Sequence, residues 1–183
     1  MSKKNAPVFV SPVAVAAYAW LARPDEGQQY SDGKYKVTLV FDPKDEDTKS
    51  FIKQIKEASV ALAKEELGVK TPKLPLRDGN TMKNEEFAGK ILITAKSKFQ
   101  PGFVDSAKKP LPEETFPQSG DMVRCSFALS AYPGQGGGVA AQLRNVMLVE
   151  KRNTGGSPTR DFDDVEVPEG ADTSDEEDFD IAI

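Results

Sequence analysis

Within residues 33–41 of this 183-residue chain, the apolar Tyr35, Val37, Leu39 and Phe41 alternate with the polar Lys34, Lys36 and Thr38. A period of two predicts a β-strand that turns one face to a core and the other to solvent. Four further stretches are predicted to be strands, residues 7–22, 89–98, 120–132 and 139–151. Pro12 predicts a bend in the first of them, because proline cannot donate to a strand ladder. We therefore expect a mainly β fold of about five strands.

One amphipathic helix is expected among the strands. Apolar residues recur at helical spacing between Phe51 and Leu62. Asp47 or Thr48 is the expected N-cap, and Gly68 suits a left-handed C-terminal cap. The helix therefore falls between the second and third predicted strands.

The remaining segments of the body are expected to be irregular. Residues 71–86 and 99–119 contain several prolines and are interpreted as loops, and residues 133–138 as a hairpin tip. Five strands and one helix in about 150 residues are typical of a small closed or partly closed barrel, of which the OB-fold is the best-known form. We predict an OB-fold-like five-stranded barrel over residues 1–152.

Residues 161–183 differ sharply in charge from the rest of the chain. They hold eleven Asp and Glu residues and no Lys or Arg, so 24 basic residues face only 18 acidic ones in residues 1–160. The net charge of −5 thus divides into −11 for this stretch and +6 for the remainder. Such a stretch buries too little apolar surface to offset its ordering entropy. We predict a disordered acidic C-terminal tail, joined to the barrel by a flexible linker at residues 153–160.

The acidic tail ends in apolar residues set among carboxylates. A short docking peptide requires such a tip, whereas a purely solubilising tail does not. A solvating terminus is the alternative interpretation. The residues predicted to bind a protein partner are Asp175, Glu176, Glu177, Asp178, Phe179, Asp180, Ile181 and Ile183.

The composition argues against an enzyme. The chain contains no histidine, which removes the usual general base and a common metal ligand. Its single cysteine, Cys125, cannot form an internal disulfide and is predicted to be a buried thiol. Asp105 and Asp121 are weak candidates for a carboxylate metal site. We expect no catalysis, no metal and no cofactor.

Neither a membrane span nor a signal peptide is expected. No apolar run reaches the ~18 residues that a span needs. Lys3 and Lys4 precede an uncharged stretch, residues 13–22, in a pattern that imitates a signal peptide. The alternation of that stretch and the prolines before it favour a first β-strand instead.

The polar faces of the predicted strands carry cations, and aromatic residues accompany them. Single-stranded nucleic acid requires this combination, because cations follow the phosphates and each stacked ring contributes ~1–3 kcal/mol whatever the base. The predicted DNA contacts are Tyr18, Trp20, Lys34, Lys36, Arg77, Lys96, Lys98, Phe99, Phe103, Arg124, Tyr132 and Arg144. The pattern leaves Trp20 and Phe103 open between stacking and core, and a merely solvated face is the alternative for the lysines.

Barrel and tail together give a more specific hypothesis than either alone. A basic groove linked to an acidic peptide sets up an intramolecular competition, in which the tail occupies the groove until nucleic acid displaces it. Displacement then releases the apolar tip for another protein. Binding of the strand is thereby coupled to recruitment of partners.

Several segments carry a resemblance to a known family. They are SPVAVAAYAWL followed by KYKVTLVF, GKILITAKSKFQPGFVD, and SGDMVRCSFALSAY followed by GGGVAAQLRNVMLVEK. Residues 8–151, with the tail, resemble the single-stranded DNA-binding proteins of tailed phages. The resemblance implies an OB-fold that coats single strands in phage DNA replication, recombination and repair. It also implies a tail that contacts phage or host replication proteins, in the cytoplasm of the host bacterium.

Two features depart from the family pattern. The tail lacks the terminal Phe, or Pro-Phe, of the better-known members, so Phe179, Ile181 and Ile183 would have to substitute. The helix falls after the second predicted strand, whereas the common OB order places it after the third. An inserted element and a miscounted strand both explain the second departure.

Functions of other classes remain open. A protein-interaction module or DNA mimic that acts through the acidic tail predicts no affinity for oligonucleotides, even without the tail. A phage structural β-barrel predicts assembly into rings or tubes. RNA is not distinguished from DNA, because stacking and phosphate contacts do not read the 2′-hydroxyl. Self-association is also left open.

Overall fold

The computed structural model describes residues 7–26, 32–83 and 85–152, and the predicted linker and acidic tail lie outside these residues. The described elements are β1 (Val8–Val10), β2 (Ala14–Trp20), β3 (Tyr35–Phe41), α1 (Glu46–Leu67), β4 (Leu76–Asp78), β5 (Ile91–Ser97), β6 (Gly102–Asp105), β7 (Met122–Tyr132) and β8 (Gly138–Glu150). Short 3-10 turns occupy Gly79–Thr81, Glu85–Phe87, Glu113–Thr115 and Gly134–Gly136.

Five strands close into a barrel in the order β7-β2-β3-β5-β8. The ring is complete because β8 pairs with β5 on one side and with β7 on the other. Neighbouring barrel strands are antiparallel except β5 and β8, which are parallel. This mainly β barrel with one long helix confirms the predicted OB-fold-like class.

The alternation of β3 and β7 determines which side chains fill the barrel. Val37 and Leu39 of β3 are 0% exposed, as is Phe127 of β7. The inward face predicted for these strands is confirmed. Phe51 of α1 packs against the rings of Phe41 and Phe127, at centroid distances of 5.7 and 6.0 Å. Each such buried ring contributes about 1.5–3 kcal/mol by leaving water.

Helix α1 follows the second barrel strand, so the strand count was correct and the unusual helix position is real. Its N-cap is Asp45, whose carboxylate accepts from the Thr48 amide at 3.3 Å and the Thr48 hydroxyl at 2.9 Å. The prediction of Asp47 or Thr48 was wrong, because both residues already lie in the first helical turn. Gly68 ends the helix with φ of 67°, as predicted. No helix in the described ranges is long and apolar enough to cross a membrane.

Three short strands modify the predicted layout. The first predicted strand divides at residues 11–13 into β1 and β2, both paired with β7, which confirms the bend near Pro12. The interpretation of residues 71–86 and 99–119 as loops throughout was wrong. The first contains β4, antiparallel to β5, and the second contains β6, parallel to β8. The local sequence of β4 and of β6 does not indicate which strand each of them pairs with.

Candidate nucleic-acid interface

A groove of about 1010 Å³ lies over the outer face of β3 and β5. Its walls come from residues 74–82, which include β4, and from the ends of β7 and β8. Nine of the predicted DNA contacts line it, namely Tyr18, Lys34, Lys36, Arg77, Lys96, Lys98, Phe99, Tyr132 and Arg144. The barrel therefore gathers on one surface residues that are far apart in the chain.

The floor of the groove is set by the register of β3 and β5. Lys36 lies opposite Lys96, and Thr38 lies opposite Thr94, with 2.9 Å between the two hydroxyl oxygens. Alternate residues of a strand share a face, so the lysines and threonines point to the same side. The described lining residues include six Lys or Arg side chains and no Asp or Glu.

Two of these lysines, Lys36 and Lys96, are neutralised by carboxylates that do not line the groove. Like charges directly opposite each other on neighbouring strands destabilise a sheet. Asp32 lies between them, 2.9 Å from Lys96 Nζ and 3.8 Å from Lys36 Nζ, and Asp25 also pairs with Lys36. The hydrogen bond from Lys96, with one from the Lys34 amide, lowers the pKa of Asp32 against the opposing effect of burial. Asp32 is therefore a carboxylate at neutral pH.

Four further cations of the groove have no such neutralisation. Within the part of the chain that the structure describes, Lys34, Arg77, Lys98 and Arg144 make no ion pair. Arg77 comes from β4, Lys34 and Lys98 flank β3 and β5, and Arg144 comes from β8. The groove thus presents positive charge from several sides to a polyanion.

Two aromatic rings project into the groove with little cover. Phe99 is 80% exposed and Tyr18 is 53% exposed. Tyr18 has φ of 47°, at an irregularity in the pairing of β2 with β3, and its ring meets the edge of Phe87 at 5.9 Å. A left-handed conformation is unfavourable for a tyrosine, and such strain concentrates at functional sites. Exposed rings beside cations are suited to stacking on bases.

Three of the predicted contacts do not line the groove. Trp20 is half-buried and lies opposite Lys36 in the strand pairing. Phe103 is only 7% exposed, because β6 turns it into the core, where it stacks on Phe116 at 4.0 Å. Arg124 is exposed, but it lines a separate depression of about 550 Å³ beside the start of α1.

Sequence reasoning missed several residues of the groove and its rim. Thr38 and Thr94 alternate with the lysines, so the strand pattern already contained their signal. Met82 comes from a segment that was interpreted as a loop, where no sequence pattern indicated a place in the groove. Asp25 and Asp32 precede β3 in the chain, but their spacing does not reveal which lysines they meet.

The two weak metal candidates have structural roles. Asp121 is 0% exposed and accepts hydrogen bonds from the amides of Gln118 and Arg152, at 2.9 and 2.8 Å, and from Lys151 Nζ at 3.2 Å. Asp105 accepts from the amides of Ala107 and Lys109 in a turn. Among the described residues, no group of three or more acidic or cysteine side chains is arranged to hold a metal ion.

Comparison with known proteins gives concordant results. The family described as the ssDNA-binding protein of Enterobacter phage Enc34 matches residues 8–179. Protein p50 of Acyrthosiphon pisum secondary endosymbiont phage 1 is 31% identical over 99 residues, which cover 51% of this chain and 54% of that relative. The match thus spans about half the length of this curated relative.

Two solved structures share the fold. The first is the single-stranded DNA-binding protein from bacteriophage Enc34 in complex with ssDNA, with a TM-score of 0.67, 18% identity, and coverage of 79% of this chain and 86% of that one. The second is gp2.5, a single-stranded DNA binding protein encoded by bacteriophage T7, with a TM-score of 0.59, 23% identity, and coverage of 82% and 93%. At these identities the likeness concerns the fold.

Proposed function

Because this chain belongs to the family of the Enterobacter phage Enc34 ssDNA-binding protein, we propose that it binds single-stranded DNA without sequence preference and catalyses no reaction. The observation that carries the proposal is the groove over β3 and β5. It combines four cations that make no ion pair within the described residues with two exposed rings, Tyr18 and Phe99.

The chemistry of this groove favours backbone and stacking contacts over base reading. Lysine and arginine side chains neutralise phosphates whatever the sequence, and every base offers a face to a ring. The proposed contact set is Tyr18, Lys34, Lys36, Arg77, Lys96, Lys98, Phe99, Tyr132 and Arg144. Trp20 adjoins this set, whereas Phe103 and Arg124 are left out of it because of their positions.

We further propose that residues 161–183 compete with DNA for the groove. The proposal is supported by the opposite charges of the two parts, −11 for these residues and +6 for residues 1–160. A tether at residues 153–160 gives the acidic segment a high effective concentration near the groove. Bound DNA then releases Phe179, Ile181 and Ile183 for a replication or recombination protein. On this proposal the chain acts in phage DNA replication, in the cytoplasm of the host bacterium.

Fluorescence anisotropy with labelled oligo-dT tests both proposals. Three chains are compared over a range of salt: the full chain, a chain that ends at Arg160, and a full-length chain with the acids of residues 175–180 changed to Asn or Gln. The third retains the length of the tail and removes part of its charge. We expect both altered chains to bind more tightly than the full chain, with affinity that falls steeply as salt rises.

The outcomes separate the two proposals. Equal affinity of all three chains would overturn the competition by the tail and leave DNA binding intact. Absence of binding by every chain would overturn the proposed function. In that case the acidic segment would be the active part of a protein-interaction module. Binding to a DNA duplex of the same length tests separately whether the protein prefers single strands.

A further inference from the structure

The carboxylate of Asp32 neutralises two lysines on the floor of the groove. It bridges Lys96 at 2.9 Å and Lys36 at 3.8 Å, two lysines that face each other across β3 and β5. A carboxylate and a phosphate offer lysine the same kind of charged acceptor. A strand that follows the groove must therefore meet an anion of the protein itself at this point.

The two lysines differ in how firmly they are held. The side chain of Lys36 is 17% exposed, and its second partner, Asp25, is 11% exposed, so this pair is enclosed. The side chain of Lys96 is 45% exposed, and Asp32 is 27% exposed. An exposed lysine on a flexible stem exchanges partners readily, since a solvent-screened pair is weak. Lys96 is therefore the lysine able to leave its carboxylate for a phosphate.

We propose that Asp32 is a built-in competitor of DNA phosphate that limits the affinity of the groove. On binding, a phosphate replaces the Asp32 carboxylate at Lys96, while Lys36 keeps Asp25. The inference rests on the proposed function and adds a residue that opposes binding to those that favour it. Such a residue weakens all strands alike, because it competes for the phosphate and not for the base.

The competition has a measurable signature in salt. Salt screens the Asp32–Lys96 pair as well as the DNA contact, so in the natural chain the competitor weakens as salt rises and the salt dependence of binding is shallower. Removing the charge of Asp32 should therefore steepen the slope of log K against log salt, by at most about 0.7, the value for one phosphate contact on a single strand.

The test compares Asp32→Asn with Asp42→Asn. Asn retains the side-chain oxygen that accepts from the Lys34 amide, so the turn before β3 is preserved. Asp42 is a matched control because it accepts from the Lys44 amide at 3.0 Å and pairs with Lys90 at 3.6 Å, outside the groove lining. Both substitutions remove one negative charge and one ion-paired carboxylate.

Affinity for oligo-dT is measured over a range of salt, in the full chain and in the chain that ends at Arg160, where the tail does not compete. The core formed by the described residues ends before Arg160. We expect Asp32→Asn to bind about three- to tenfold more tightly at low salt with the steeper slope, and Asp42→Asn to bind as the unchanged protein does. The gain should disappear in a chain that also carries Lys96→Gln.

Each outcome decides the inference. Equal affinities of the two variants, or weaker binding by Asp32→Asn with an unchanged melting temperature, would overturn it. A gain that persists with Lys96→Gln would also overturn it, because the exchange at Lys96 would then not be the cause. Lack of DNA binding by the unchanged protein is a different result, and it contradicts the proposed function itself.

Discussion

Gly138 lies directly against the phenol ring of Tyr132. The two residues are partners in the β7–β8 hairpin, and an ideal Cβ on Gly138 would overlap the ring, 2.9 Å from Cε1 and closer still to Cζ and the hydroxyl oxygen. Gly138 has no positive φ that would demand glycine. The glycine therefore makes room for the ring, which lines the groove.

Gly138→Ala is expected to weaken ssDNA binding by about five- to thirtyfold, as if a stacking ring were lost. The added methyl displaces Tyr132 without removing it. Gly134→Ala is the matched control, because its nearest ring atom, Tyr132 Cδ2, is 4.0 Å away. Anisotropy with oligo-dT measures the difference. Equal affinity of the two variants would show that Tyr132 does not stack on bases in that position.

Tyr18→Gly should weaken ssDNA binding while it leaves the stability of the fold nearly unchanged. Loss of the ring should weaken ssDNA binding by about five- to thirtyfold, with an unchanged salt slope. Glycine adopts the φ of 47° without strain, which offsets the lost edge contact with Phe87, so the free energy of unfolding should change by less than about 1 kcal/mol. Tyr18→Ala should be less stable than Tyr18→Gly in urea unfolding. The reverse order would mean that the left-handed conformation carries no strain.

Lys98→Gln should reduce the salt dependence of ssDNA binding. Lys98 lines the groove and makes no ion pair within the described residues. Loss of one phosphate contact lowers the magnitude of the slope of log K against log salt by about 0.7. Lys53→Gln changes the same charge on the exposed surface of α1 and should leave the slope unaltered. A comparable change in both variants would indicate a general effect of net charge.

Cys125 should be inert in the folded protein. Its side chain is 1% exposed, and burial raises the pKa of the thiol above its ordinary value. The thiolate is the reactive form, so a disulfide reagent at pH 8 should modify Cys125 only in denaturant. The rate of modification without denaturant then reports global unfolding. Rapid modification of the native protein would contradict the packing of β7.

Asp42 should contribute to stability against acid. The hydrogen bond from the Lys44 amide, with the charge of Lys90, lowers the pKa of Asp42 below the ordinary value of 3.8. The folded state therefore binds the proton less readily than the unfolded state. This contribution is fully present above pH 3.8 and is lost as pH falls through the lower, folded pKa.

Melting temperatures of the unchanged protein and Asp42→Asn should accordingly differ by a constant amount between pH 7 and 5. They should converge below about pH 4. A difference in melting temperature that widens as pH falls would contradict the lowered pKa of Asp42.

Strand alternation was sufficient to predict the floor of the groove. Once β3 and β5 are strands, Val37 and Leu39 must face the core, and Lys36 and Lys96 must face away from it. Alternation within a strand does not predict the cross-strand register, and it is this register that places the two lysines opposite each other. The need for Asp32 follows from that register, so no reading of a single strand could reveal it.

Phe99 and Phe103 show where local sequence is insufficient. Both belong to one proline-containing stretch, yet Phe99 is 80% exposed and Phe103 is 7% exposed. The difference comes from β6, which pairs Phe103 with Val146 of β8 in a parallel arrangement. Parallel partners are distant in the chain, and their pairing leaves no hairpin turn to recognise. The position of Tyr18 likewise depends on an irregularity in the pairing of β2 with β3, and the sequence around Tyr18 does not predict it.

The closure of the barrel through β5 and β8 bears on how the newborn chain matures. Only two residue pairs, Ala95 with Ala141 and Lys96 with Gln142, join these strands, and β8 is the last of the described strands to be synthesised. β4 already covers residues 91–93 of this edge, but residues 95–96 have no partner there until β8 emerges. Lysine on an uncovered strand discourages pairing with other chains. We therefore expect Lys96 and Lys98, which we propose as DNA contacts in the finished protein, also to discourage aggregation of β5 during synthesis.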